Sequence, residues 1–213
     1  MSENDHTRPM GWSHVVRLGL VQACLGAMVV LATSTLNRIM VVELALPALV
    51  PGLLVGFHYA IQMVRPRMGY GADRGRRCTP WMLGGVATLA LGGTLAAVGT
   101  THMAQSQVQG LAICALAFAL IGLGVSAAGT SLLTLMSKRV PESMRAPAAT
   151  TVWVMMIMGF AITAVTVGKL IEPYSPQRLI DVTAGLGLVI VLITSLALWG
   201  LESGTQPVSE SSQ

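Results

Sequence analysis

CTPWMLGGVATLALGGTLAAVGTTHMAQSQVQGLAICALAFALIGLGVSAAGTSLLTLMS, residues 78–137, runs for 60 residues without an Asp, Glu, Lys or Arg. A bilayer-spanning helix needs ~20 apolar residues, so this run is too long for one helix. Its middle, THMAQSQVQG (Thr101–Gly110), is polar and makes the natural turn. Splitting there predicts spans near Trp81–Gly99 and Leu111–Met136, joined as a hairpin. Outward from it, four more charge-free windows follow the same rule: Leu18–Asn37, Leu44–Val64, Ala146–Gly168 and Val182–Leu201. The runs lack the alternating polarity of barrel strands. The expectation is an all-α membrane protein, a bundle of six transmembrane helices over residues 15–201. A polar N-terminal segment (1–14) precedes it and a polar tail (202–213) follows.

Composition agrees. Of 213 residues, 53% are hydrophobic and 10% charged, where a soluble domain carries about 25% charged residues. Mean hydropathy is +0.68. An ordinary soluble enzyme and a disordered chain are both excluded. The pI near 9.3 does not point to nucleic acid, because the basic residues sit in short loops between apolar runs. Cys24, Cys78 and Cys114 are far apart and odd in number, which gives neither a disulfide framework nor a zinc spacing. The first apolar run has no small-residue cleavage site after it and is read as a retained span.

Lys and Arg set the orientation. Ten lie in the N-terminal segment, the second-to-third loop and the fourth-to-fifth loop; three (Arg38, Lys169, Arg178) lie on the other side. Both termini are expected in the cytoplasm. The first connection on the opposite side, NRIMVVELALP (Asn37–Pro47), is almost as apolar as the spans it joins. Either it docks a membrane partner through Asn37, Arg38 and Glu43, or the helices simply extend past the hydrocarbon and Arg38 snorkels.

Chemistry-bearing residues are few. GYGADRGRR (Gly69–Arg77) resembles the G-x-x-x-D-[RK]-x-G-[RK]-[RK] loop of major facilitator transporters. Gly69, Asp73, Arg74 and Arg77 match, and Arg76 stands where the second glycine belongs. Such a loop fixes one conformation of the bundle through its carboxylate and arginines. His58, Gln62 and Arg65 share one face of the second helix. His58 is the histidine well inside a span, and a neutral imidazole there either ligates a metal, the magnesium of a chlorophyll included, or bonds Gln62 or a neighbouring helix. Small and weakly polar stripes (Gln22, Gly26, Thr33; Gly122, Ser126, Gly129; Gly159, Thr163, Thr166) read as close helix contacts. No catalytic motif, phosphate loop or metal-ligand cluster is present, so no enzyme activity is expected.

Leu20–Ala60, with TLNRIMVVEL (Thr35–Leu44) as its most specific piece, strongly resembles the PucC/LhaA family of light-harvesting assembly factors. Arg65–Arg77, SKRVPESMRAPAATTVWVMMIMGFAITA (Ser137–Ala164) and SPQRLIDVTAG (Ser175–Gly185) look like later segments of that family. The family is a major facilitator branch of phototrophic bacteria. The resemblance implies an assembly factor or accessory subunit for antenna or reaction-centre complexes in the photosynthetic inner membrane. Its partners would be antenna or reaction-centre polypeptides and its cargo bacteriochlorophyll; the residues the resemblance carries over are Arg38, Glu43 and His58, and Gln62, one turn past His58, is read with it as a candidate pigment contact. Family members have about twelve spans, and this chain matches the N-terminal six. Either it pairs with a second copy or a separate C-terminal half, as a half-size transporter would, or it works as a scaffold, or it is a truncated remnant.

Overall fold

The computed structural model describes residues 10–66 and 77–202. Among these the chain is helical, without strands. Six helices follow in order: α1 Trp12–Val42, α2 Leu49–Val64, α3 Thr79–His102, α4 Gln107–Arg139, α5 Glu142–Ile171 and α6 Pro176–Leu198. Five are long and apolar enough to cross a membrane; α2 is apolar but shorter. At 1.5 Å per residue α4 extends ~50 Å and α2 only ~24 Å, against a hydrocarbon core of ~30 Å.

The boundaries depart from the charge-free windows in an instructive way. α1 does not stop at Asn37; it continues through Arg38 to Val42, after a π-helical turn at Leu31–Thr35. The NRIMVVEL segment is therefore mostly helix, and the connection shrinks to residues 43–48, turning through Ala45 at φ 50°. The second helix starts at Leu49, not Leu44. Charges end hydrocarbon, not helices: a helix end beyond the apolar core accommodates Arg and Glu freely. α4 and α5 likewise extend past their windows, to Arg139 and back to Glu142.

Packing follows the small residues. The α3–α4 hairpin is the most extensive pair, and α1 against α5 comes next. At the hairpin seam a Cβ on Gly85 would stand 2.6 Å from the Ala128 nitrogen, and one on Gly124 would stand 2.6 Å from the Gly85 carbonyl oxygen. The two backbones touch because neither residue has a side chain. On the other seam, a Cβ on Gly159 would stand 2.6 Å from the Ala23 oxygen. In lipid, apolar burial gives helices little reason to associate, and such close backbone approach supplies it. The core runs along α1, α3 and α4 through Met28, Leu31, Leu89, Phe118 and Ile121. α5 is the least buried span.

One end of the bundle is tied by polar groups. The Glu202 carboxylate accepts from the backbone N–H of Cys78 (2.9 Å) and of Thr79 (2.8 Å), at the start of α3. Arg139, closing α4, lies 3.9 Å from the same carboxylate and donates to the Glu202 carbonyl at 3.3 Å. Met10 N–H donates to the Arg139 carbonyl at 3.1 Å. Arg17 donates to the Ala197 carbonyl (2.8 Å) and to the Trp199 carbonyl, at the close of α6. The start of α1, the start of α3 and the ends of α4 and α6 thus share one face, as an even number of crossings requires. Exposed Trp12, Trp81 and Trp199 belong to the same end and form an aromatic belt. Glu202, expected as the first residue of a polar tail, is instead an anchor.

Burial alone would raise the Glu202 pKa; the hydrogen bonds from Thr79 and Cys78, with the Arg139 guanidinium, outweigh it and hold the carboxyl below its ordinary value. A carboxyl lowered in this way adds stability that is complete above its unfolded pKa and fades as the pH falls through the folded one. Two predictions follow from the packing and from this tie. Gly85→Ala should lower the melting temperature in detergent, with a cost of ~1–3 kcal/mol. Its neighbour Gly84→Ala, where a Cβ meets nothing within 4 Å, should be neutral or stabilising; equal effects at the two positions would contradict the seam. Glu202→Gln should cost ~1–3 kcal/mol at neutral pH, and should flatten the loss of melting temperature that the parent chain shows on acidification below the carboxylate range.

Candidate functional site

A cavity of about 230 Å³ opens between α1, α2, α4 and α5. Its polar lining is Gln22 from α1, with His58, Tyr59, Gln62 and Arg65 from α2 and the turn that follows; Trp153, Met156 and Phe160 supply the α5 wall. The close contacts of Gly26 with Phe160 and of Gly122 with the His58 carbonyl and Ile61 set these helices around it. Of the stripes read from the sequence as packing faces, Gly26, Gly122 and Gly159 make close contacts, whereas Thr166 is exposed and Gly129, which meets nothing, leaves the cavity its room.

The hydrogen-bond directions inside this cluster follow from chemistry. Arg65 only donates, and it donates to Gln62 Oε1. The Gln62 amide nitrogen then faces His58 Nε2 at 2.6 Å and must be the donor. His58 Nε2 therefore carries the lone pair, and the proton of the neutral ring sits on Nδ1. His58 has no exposed surface. Its Nδ1 makes no full hydrogen bond, and the Phe118 backbone of α4 lies beside it. The 3₁₀ turn Gln62–Val64 at the end of α2 brings Gln62 and Arg65 onto this line. On α1, Gln22 faces the same space; its Nε2 reaches the Met156 sulfur at 3.2 Å, a weak acceptor, and its Oε1 is buried without a partner.

A bacteriochlorophyll magnesium does not fit His58 in this arrangement. One ring nitrogen is committed to Gln62, the other is protonated against α4, and no edge of the ring is exposed. The cavity is also smaller than the ~300–1,000 Å³ that encloses a drug-sized ligand. Among the described residues, no group of three or more His, Cys, Asp or Glu is placed to hold a metal ion.

Asn37, Arg38 and Glu43 lie together at the end opposite Glu202, ~12 to ~21 Å beyond Val29, the nearest cavity residue of α1, by residue count. Arg38 pairs with Glu172 at 3.8 Å, and both side chains are more than half exposed. Such a pair contributes little stability. Tyr174 beside them has its pKa raised by burial and by the Glu43 charge. Gly69, Asp73 and Arg74 lie outside the described residues; Arg77 is exposed just before α3. Sequence reasoning placed His58, Gln62 and Arg65 on one face but missed that Trp153 and Phe160 close the opposite wall. Trp153 on a span otherwise poor in aromatics was the available signal.

The sequence profile of the PUCC protein family matches residues 35–213. The "Bacteriochlorophyll synthase 44.5 kDa chain" of Rhodobacter capsulatus is 50% identical over 193 residues, covering 91% of this chain and 45% of that protein. "Protein PucC" of Rhodobacter capsulatus is 31% identical, covering 90% of this chain and 44% of that protein. "Protein PucC" of Cereibacter sphaeroides is 30% identical, covering 88% and 44%. The chain thus spans less than half the length of these curated relatives. No solved structure matches it.

Proposed function

The chain belongs to the PUCC protein family, and from that premise we propose that it is a membrane-embedded, non-catalytic assembly factor or accessory subunit for photosynthetic antenna or reaction-centre complexes. The family match carries the reading. The names of the relatives, PucC and a bacteriochlorophyll synthase chain, support a reading in the context of photosynthetic complexes and bacteriochlorophyll.

The geometry supports contact over turnover. The polar groups of the cavity are two amides, a guanidinium, the Tyr59 phenol and an imidazole whose Nε2 is taken by Gln62, a set without a carboxylate or a thiol, which favours binding over acid–base or nucleophilic chemistry. α5 exposes an apolar surface: Trp153, Val154, Ile157, Met158, Ile162 and Val165. In the proposal this face receives single-span antenna polypeptides, and bacteriochlorophyll is handled on apolar surface or within the partner, without His58 as ligand. Asn37, Arg38 and Glu43, beside exposed Val42 and Leu49, form the docking end. The Lys and Arg excess read from the loops at the Glu202 end supports a cytoplasmic position for that end.

Affinity purification from phototrophically grown membranes in mild detergent tests the reading. Antenna or reaction-centre polypeptides should accompany the intact chain, and Ile157→Lys on α5 should cut their recovery about tenfold, since a charge in a lipid-buried contact costs several kcal/mol. His58→Leu should leave the pigment spectrum of the purified material unchanged. Intact, well-expressed protein that brings down no such polypeptide would overturn the assignment.

A further inference from the structure

Arg65 is the unsettled group of the cavity. It lies one turn past Ile61, which packs against Gly122 near the middle of α4. Counting from there to Arg139, at the Glu202 end, leaves ~20 Å of α4, so the guanidinium starts from within the apolar band and not from the belt of Trp12, Trp81 and Trp199. Arg65 is exposed where it borders the cavity, and a charged side chain at that depth is stabilised by snorkelling to the interface or by a partner of opposite charge. Among the described residues its one hydrogen bond is to the neutral Gln62 Oε1, and the described acids, Glu43, Glu142, Glu172, Asp181 and Glu202, all stand at helix ends or in the connections. The links from Arg65 to Gln62 and from Gln62 to the fully buried His58 tie the guanidinium to the cavity wall and leave its remaining donors free. Across the same cavity the Gln22 Oε1 is a buried acceptor with no donor. The remaining walls, Leu25, Val29, Val125 and Leu133 with Trp153 and Phe160, are apolar.

We propose that this cavity binds the acidic head of a membrane amphiphile: Arg65 holds the carboxylate or phosphate oxygens, Gln22 accepts from a hydroxyl of the same head, and the hydrocarbon tail leaves along the α5 wall past Trp153. His58 and Gln62 are positioning residues, aiming Arg65. The inference stands on the cavity alone and does not depend on the family reading. A volume of about 230 Å³ suits a small head and the root of one chain.

Trp153 lines the cavity and serves as reporter. In a variant with Trp12, Trp81 and Trp199 replaced by Phe, reconstituted in phosphatidylcholine nanodiscs, Trp153 fluorescence is titrated with three brominated probes: stearate, phosphatidylglycerol and phosphatidylcholine. The acidic probes should quench at about tenfold lower mole fraction than phosphatidylcholine. Arg65→Gln should abolish that preference and Arg65→Lys should keep most of it, with helicity by circular dichroism unchanged in both. Gln22→Leu should weaken phosphatidylglycerol, which carries hydroxyls, more than stearate. The better of the two acidic probes identifies the source of the head. Equal quenching by all three probes, or a preference that survives Arg65→Gln, would overturn the proposal.

Discussion

Close backbone contact between α3 and α4 at Gly85 and Gly124 is the constraint on which the bundle rests. Lipid tails are as apolar as leucine, so these helices have no water to escape from. What they gain on meeting is dispersion contact and backbone dipole packing, and both grow steeply as the axes approach. The absence of two side chains lets the carbonyl of one helix sit against the backbone of the other. The Gly159 contact with Ala23 repeats the device between α1 and α5. With these seams set, α1 lies centrally among α3, α5 and α6, and the cavity is the space left where Gly129 and the short α2 fail to fill the gap between α4 and α5.

The polar groups obey a complementary rule. Inside a bilayer an unpaired donor or acceptor costs several kcal/mol, so most that occur are connected and an orphan such as Gln22 Oε1 stands out. At the Glu202 end, water and headgroups reduce that cost, and the carboxylate cap on α3 organises four chain segments at once. In the cavity the connection runs in one direction, from guanidinium to amide to imidazole. That direction decides the chemistry of His58 more firmly than its residue type does. A histidine in a span reads from sequence as a hydrogen-bonded tie more often than as a metal ligand; the donor-only nature of Arg65, three residues beyond Gln62, favours the bond to Gln62.

Spans were legible because the absence of charge over twenty residues has one physical meaning in a chain this apolar. Their ends were not, since a charge marks where hydrocarbon stops and a helix continues through it: Arg38 lies inside α1, and Arg139 closes α4. The short α2 was misjudged from the opposite side. Leu44 to Ala48 is apolar enough for a span but sits in the connection, with Pro47 and the left-handed Ala45 within it. For the site, periodicity placed His58, Gln62 and Arg65 on one face. Which wall they meet depends on the rotation of α5 about its axis, and that is set by the Gly159 and Gly26 contacts, which pair residues more than a hundred positions apart.

The uneven burial of the spans bears on how such a chain works. α1 is mostly enclosed, whereas α5 and α6 turn most of their residues outward. The outward face of α5 carries Trp153, Ile157 and Met158, side chains of differing shape, in place of the uniform leucine that lipid alone would satisfy. Methionine and tryptophan adapt to irregular partners, and Met155 and Met156 on the inward face already do so, filling the notches at Gly19 and Gly26. A face built from the same residue types that make the internal contact on α1 is suited to receive another helix, and α5 thereby links the cavity on its one side to the surface proposed for antenna polypeptides on the other.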